Sequence, residues 1–240
     1  MSKKHSSTKL TACANLTRRA FLKSTTVLAA APYVIPASAL GRDGRVAPSE
    51  RIIMGGLGIG NRGSHDLRWM LPEADVQFVA DCDPQKQRRE AVKEIVDTHY
   101  GNKDFKLYSN TPEFLAERTD IDGLLVTTGD RWHAMASIMA MRAGKDVYSE
   151  KPSSMTIAEG QGVVETAKRY RRIYQTGTQR LSEGNFTFCN EMLRLGRLGK
   201  VHTVRAHIAP WDAAEMRHDW LPAEPLPAND EVDWDAWLGP

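Results

Sequence analysis

The sequence predicts an α/β fold: a doubly wound parallel sheet, followed by the start of an α+β substrate domain. Three observations predict it. Apolar strand-like runs alternate with one-sided helical stretches through residues 51–178, the pattern of a parallel sheet covered on both faces. The first run, Arg51 to Leu57, enters a turn in which Gly58, Gly60 and Gly63 make the G-x-G-x-x-G spacing of a dinucleotide site. The second run closes on Asp81, 23 residues after Gly58. An acid that bonds ribose hydroxyls is expected about 20 residues beyond such a turn.

Each element follows from its residues. Strand one is Ile52 to Leu57, and the helix after it carries Leu67, Met70 and Leu71 at i, i+3 and i+4. Strand two is Val76 to Asp81. Pro84 suits the first turn of the next helix, which should bury Ala91, Val92, Ile95 and Val96 and stop at Gly101. A short strand, Lys106 to Tyr108, and a short helix, Pro112 to Arg118, come next. Strand four, Gly123 to Thr128, is apolar through most of its length, as for a strand buried on both sides. The following helix should turn Met135, Ile138 and Met139 inward and end at Gly144. Strand five is Asp146 to Ser149. A helix from about Thr156 to Tyr170 should bury Val163, Val164 and Ala167, and strand six is Ile173 to Thr178. Helix Asn185 to Leu195 and strand Lys200 to Ala209 then look like the opening of a second domain.

The glycines have separate duties. Gly58 permits the tight turn, Gly60 lets backbone approach a pyrophosphate, and Gly63 lets helix and strand pack closely. The free N–H groups of the helix N-terminus favour phosphate. Candidate cofactor contacts are therefore Gly58, Ile59, Gly60, Asn61, Arg62 and Gly63, with Asp81 for the ribose. Asp83 is the alternative acid; Asp81 is preferred because it closes the apolar run directly. Thr128 and Glu150, in the loops at the carboxyl ends of strands four and five, complete the set. An acid at position 81 repels a 2′-phosphate, so NAD is favoured. Arg62 keeps NADP possible, because a turn arginine can bind phosphate; its plainer roles are a pyrophosphate contact or a solvated charge.

Composition excludes other classes. Of 240 residues, 41% are hydrophobic and 26% charged, which fits a globular protein. The net charge of +2 conceals an uneven chain. Residues 1–39 hold six lysines and arginines and no acid; without them 26 basic residues face 30 acidic ones, a balance of −4. That balance gives no electrostatic case for nucleic acid. Thr17-Arg18-Arg19-Ala20-Phe21-Leu22-Lys23, an uncharged stretch from Ser24 to Ile35, and Ala37-Ser38-Ala39 have the order of a twin-arginine export signal. The apolar stretch is shorter than the ~20 residues of a membrane span. A periplasmic or other extracytoplasmic location is expected. Cys82 and Cys189 fit neither a metal site nor a disulfide framework and read as buried small hydrophobes; no metal is expected. The chain thus divides into a signal at 1–39, a linker at 40–50, a Rossmann-like dinucleotide-binding domain at 51–180, and an incomplete second domain at 181–240.

Two further segments narrow the reading. Thr127-Thr128-Gly129-Asp130-Arg131-Trp132-His133 follows strand four, and Glu150-Lys151-Pro152 follows strand five. With the glycine turn and Asp81, they resemble the Gfo/Idh/MocA family, which includes glucose–fructose oxidoreductase and inositol dehydrogenase. Gly177-Thr178-Gln179-Arg180 and Trp234-Asp235-Ala236-Trp237-Leu238-Gly239-Pro240 are similar to its secreted branch. The resemblance covers roughly residues 50–240. It implies an NAD(P)-dependent oxidoreductase acting on a sugar or polyol, and a homo-oligomer for a full-length relative. It makes Lys151 catalytic, and it offers His133 as a residue facing nicotinamide or substrate, or else as a packing residue.

The departures are as informative. The secreted branch more often reads Thr-Pro-Asp-His-Trp-His where this chain has Gly129 for the proline and Arg131 for the first histidine. Asp130 is expected to cap its helix. Gln179 and Arg180 are candidates for substrate hydroxyls. His202 and His207 fall on opposite sides of a presumed strand, which counts against a shared metal. The tryptophans Trp211, Trp220, Trp234 and Trp237 read as packing residues before sugar platforms. The family's Asp-x-x-x-His pair has no match before Pro240, so the sequence is expected to be a shortened form of a longer enzyme. NAD-dependent glycosidase chemistry and a nucleotide-binding module without catalysis stay open beside the oxidoreductase.

Overall fold

A computed structural model describes residues 46–207 and 225–239. Six strands, β1 (Ile52–Leu57), β2 (Val76–Cys82), β3 (Lys106–Tyr108), β4 (Gly123–Val126), β5 (Asp146–Glu150) and β6 (Tyr174–Gly177), form one sheet in the order β3-β2-β1-β4-β5-β6. All five pairings are parallel. The chain runs outward from β1 to one edge, then returns to β4 on its other side. That reversal opens a crevice above the carboxyl ends of β1 and β4, where ligands bind in such sheets.

The helices between strands are α1 (Asn61–Met70), α2 (Lys86–Tyr100), α3 (Thr111–Glu117), α4 (Asp130–Arg142) and α5 (Ile157–Tyr170). They cover both faces. Leu124 and Leu125 are adjacent on β4, so they point to opposite sides; each is sealed within a different apolar cluster. This explains why β4 reads as an unbroken apolar run. The first cluster holds Leu57, Val126, Met141 and Val163, the second Ile59, Leu67, Phe78 and Val96. α5 begins on a capping box, with Thr156 and Glu159 each accepting from the other's end of the first turn.

Several expectations are corrected. α4 buries His133, Ala134, Ala136, Ser137, Ala140 and Met141, while Met135 is exposed. Met141 is fully buried in the same helix, so it is the face on which Met135 falls, and not its size, that leaves it exposed. Val164 and Ala91 likewise face outward, and Cys189 is exposed rather than buried. Pro84 precedes α2, whose N-cap is Gln85. Asp130 is the first residue of α4 and makes no capping hydrogen bond; Gly129 is the N-cap.

After β6, a 3-10 turn (Gln179–Ser182) leads into α6 (Gly184–Arg194), which buries no residue. The strand expected from Lys200 is absent over residues 200–207, which are exposed and irregular. A lone strand has no neighbour to take its backbone hydrogen bonds. Residues 208–209 of that strand, Trp211, Trp220 and the export signal lie outside the described residues. The chain is described again from Glu224's successor, Pro225, and ends in α7 (Trp234–Leu238), which packs on the nucleotide domain. No helix among the described residues is long and apolar enough to cross a membrane.

Candidate active site

The glycine turn joins β1 to α1. Gly58 has φ +69°, and a side chain there would start 2.8 Å from the Thr128 Cα. Gly58 N donates to Cys82 O at 2.8 Å, and Thr127 Oγ1 donates to Gly58 O at 3.1 Å. The turn is thereby fixed from β2 and β4 together. Gly63 lies against Thr127: an added Cβ would overlap Oγ1 and stand 2.9 Å from the Thr127 Cβ. Gly63→Ala should cost about 1–3 kcal/mol in urea unfolding, by forcing α1 off the sheet. Thr127→Ala in the same chain should recover part of that loss. Equal costs with and without Thr127 would refute the close-packing account.

α1 starts on Gly60 with no side-chain cap and no acid in its first turn. Its leading N–H groups and positive dipole end therefore remain available to an anion. Gly58, Gly60, Asn61, Arg62, Asp83 and Thr128 line a cleft of about 650 Å³ above the sheet. The Arg88 guanidinium, from α2, lies against Gly60 and adds a cation at the start of α1. Ile59 points the other way, into the core.

Asp81 is fully buried at the end of β2 and does not line the cleft. It pairs with Gly56, where an added Cβ would meet Asp81 Oδ1 at 2.5 Å. Neither carboxylate oxygen has a hydrogen-bond partner. Burial, helped by the charge of Asp83, raises its pKa well above the usual carboxylate range. The amides of Cys82 and Ile59 oppose that shift without reaching hydrogen-bonding geometry. Asp83 does line the cleft, but its Oδ1 already accepts from Gln85 N at 2.7 Å. The ribose diol of a dinucleotide supplies two donors, which is what Asp81 lacks.

Arg62 is exposed to solvent and paired as well. Its Nε donates to Glu150 Oε1 and its Nη2 to Asp66 Oδ1, both at 2.8 Å, and its guanidinium lies 5.2 Å from the Trp69 ring centroid. Glu150 also accepts from Gln179 Nε2 and from Lys151 N at 2.8 Å. Burial alone would raise the Glu150 pKa, but these bonds and the Arg62 charge outweigh it and hold it below its ordinary value. Asp66 has the opposite outcome. Burial pushes it up to about 6, against Arg62 and with the help of the Glu150 charge. Sequence reading missed Asp66, although its i,i+4 spacing from Arg62 was a usable signal.

Lys151 is exposed, beyond the cleft lining, and the Lys151–Pro152 bond is cis. His133 is buried, and its Nδ1 lies 2.7 Å from Pro152 O. A carbonyl only accepts, so Nδ1 carries the proton; Nε2 has no partner. His133 thus steadies the loop after Lys151 and does not face the cleft. Gln179 joins the site through Glu150, whereas Arg180 pairs with Glu183 at 2.8 Å. His202 and His207 are exposed and contribute nothing to it.

The fold and cleft define a dinucleotide-binding domain of the Rossmann type. The model of an oxidoreductase family with an NAD-binding Rossmann fold matches residues 51–178, and the chain belongs to that family, Gfo/Idh/MocA. It is 28% identical over 152 residues to a myo-inositol 2-dehydrogenase of Thermotoga maritima, across 63% of this chain and 43% of that one. It is 25% identical over 228 residues to an alpha-N-acetylgalactosaminidase of Shewanella oneidensis, across 85% of this chain and 49% of that one. A scyllo-inositol dehydrogenase of Lactobacillus casei, crystallised with NAD(H) and scyllo-inositol, superposes with a TM-score of 0.56 at 17% identity, over 62% of this chain and 43% of that one. This chain spans less than half the length of these relatives.

Proposed function

We propose that this chain carries the nicotinamide-binding part of an oxidoreductase that moves a hydride between NAD and a carbon of a sugar or polyol. One observation supports this most. The Arg62–Glu150 ion pair ties the glycine turn to the loop of Lys151, so the lysine stands at the same end of the sheet as the dinucleotide cleft. Bound NAD would supply the two-electron acceptor. Asn61, Arg62, Arg88 and the start of α1 would hold the phosphates, and Asp81 would hold the adenosine ribose once its buried carboxylate is uncovered. Lys151 bonds the substrate hydroxyl and takes its proton as the carbon gives up hydride; in reduction it returns that proton. Sugar-dependent formation of NADH by the purified chain tests the reading. Absence of both NAD(H) binding and turnover across a panel of sugars and polyols would overturn it.

A second reading is supported by the relative named as an alpha-N-acetylgalactosaminidase. Transient oxidation of a glycoside, elimination of the aglycone, addition of water in its place and return of the hydride would leave NAD unchanged overall. Release of a coloured aglycone without accumulation of NADH would favour it over a dehydrogenase. The export signal at 1–39 is also proposed, and with it an extracytoplasmic protein that keeps its cofactor. Fractionation of cells expressing the chain, with Arg18 and Arg19 replaced by Lys as the control, tests it; cytoplasmic retention of the unaltered chain would refute it.

A further inference from the structure

The end of the chain takes an unexpected course. Residues 228–239 cross the mouth of the cleft. At one side Lys86 N donates to Glu231 O at 2.9 Å and Asp233 N donates to Pro84 O at 3.2 Å, so the segment is attached where β2 leads into α2. Val232 forms a β-bridge with Gln85 and is buried. At the other side Arg131, at the start of α4, donates from Nε to Leu238 O at 2.8 Å and from Nη2 to Trp237 O. The same guanidinium stacks 4.4 Å from the centroid of the Trp237 ring. The attachment points follow β2 and β4, the two strands that flank β1. The segment therefore bridges the glycine turn from one side of the crevice to the other.

Between its anchors the segment is ordered by its own residues. Asp233 caps α7 by accepting from Ala236 N at 3.0 Å, and Trp234 and Trp237 pack edge to face at 5.7 Å. Asp235, Ala236 and Trp237 thereby join Gly58 and Gly60 in lining the cleft. Trp132, in the same lining, has a buried Nε1 with no partner, a donor left for an acceptor on a bound ligand. Arg131 is one of the residues where the chain departs from the commoner histidine pattern. An imidazole has no guanidinium fork and could not make both carbonyl bonds.

We propose that residues 228–239 are a strap that closes the dinucleotide cleft, and that Arg131 and Trp237 form the clasp that retains bound cofactor. The proposal rests on the reading of the cleft as an NAD site. Asp235, Ala236 and Trp237 line the cleft beyond the glycine turn, so loosening the strap is expected to act on release. The Lys86 end is held by backbone bonds and a bridge, so opening of the strap is assigned to the Arg131 end. A retained cofactor suits a protein that works where free NAD is scarce.

Stopped-flow displacement of NADH from the full 240-residue chain by excess NAD, read by energy transfer from tryptophan, tests the clasp. Arg131→Ala and Trp237→Ala are each expected to speed release roughly ten- to hundred-fold, with association changed by no more than about three-fold. Arg131→Lys, which keeps charge but not the fork, should fall between them and the unaltered chain. Trp237→Phe should retain most of the slow release. If an alanine variant fails to fold, these two conservative variants carry the comparison. Release as slow as in the unaltered chain would overturn the strap while leaving the NAD site standing. Faster association with unchanged release would also overturn it, since the segment would then be an obstruction. If the unaltered chain binds no NADH, the NAD-site reading fails and the strap with it.

Discussion

Lys151→Met is expected to leave NAD(H) binding within about three-fold of the original and to lower turnover by about 10²–10⁴-fold, the range for losing one general acid–base group. The separation follows from position. Lys151 lies outside the lining of the dinucleotide cleft, while its backbone N–H is held by Glu150 and the next carbonyl by His133. Methionine keeps the length and apolar stem of the lysine, so the loop has no steric reason to move. It cannot bond the hydroxyl or accept its proton. Because that contact strengthens as the proton leaves, kcat should fall more than KM rises. His133→Asn and Glu150→Gln separate placement from chemistry. Each weakens one hold on the loop, so each should raise KM and lower kcat together by a smaller factor. Isotope-labelled substrate would show hydride transfer becoming rate-limiting in Lys151→Met. Turnover unchanged in Lys151→Met would remove this residue from the reaction.

Part of this site was legible in the sequence because its determinants are local. The glycine spacing, the apolar run of β1 and the acid at the end of β2 fall within one short β-α-β stretch of sequence, although the contacts that require Gly58 and Gly63 come from β4. β1 and β3 have the predicted bounds, and the remaining strands shift by one or two residues at their ends. The inward face of α4 was not legible. A hydrophobicity pattern favours Met135, but the face turned to the sheet carries Ala134, Ser137, Ala140 and Met141, a polar residue among them. The role of Glu150 was hidden for a different reason. It joins Arg62, 88 residues away, to Gln179, 29 residues away, and no local spacing reports such a meeting. The strap was the least visible. Arg131 stood out only as a departure from the family's histidine and Trp237 as a packing residue until folding brought them together. The missing strand at 200–207 makes the same point in reverse: alternation in sequence proposes a strand, but only a neighbouring strand can form it.

Asp81→Asn should change stability and binding in opposite directions, and pH tells why. The folded protein holds Asp81 well above the unfolded carboxylate value, so its native state keeps a proton that the unfolded chain releases. Below about pH 4 both states are protonated and the variant should match the original. As pH rises past that point, only the unfolded state ionises, and the original loses about 1.4 kcal/mol per pH unit until its folded pKa is passed. Asparagine occupies nearly the same space, is uncharged in both states and escapes that loss. In the absence of NAD the variant should therefore melt higher than the original at pH 7–8, with a gap that closes towards pH 4; thermal melts across this range read it directly. Binding should run the other way. The two ribose hydroxyls donate best to an ionised carboxylate, so NAD binding should expel the Asp81 proton and tighten with pH. Asp81→Asn should bind roughly ten- to hundred-fold more weakly, the worth of hydrogen bonds to a charged group, and should show no such pH dependence. Calorimetry in buffers of different ionisation enthalpy would detect the released proton in the original and none in the variant. Asp83→Asn supplies the contrast. Its side-chain oxygen can still accept from Gln85 N, so NAD affinity should change little. Loss of binding in Asp83→Asn with retention in Asp81→Asn would transfer the ribose contact to Asp83. Asp81 would then be a buried acid whose cost to stability has no part in holding the nucleotide.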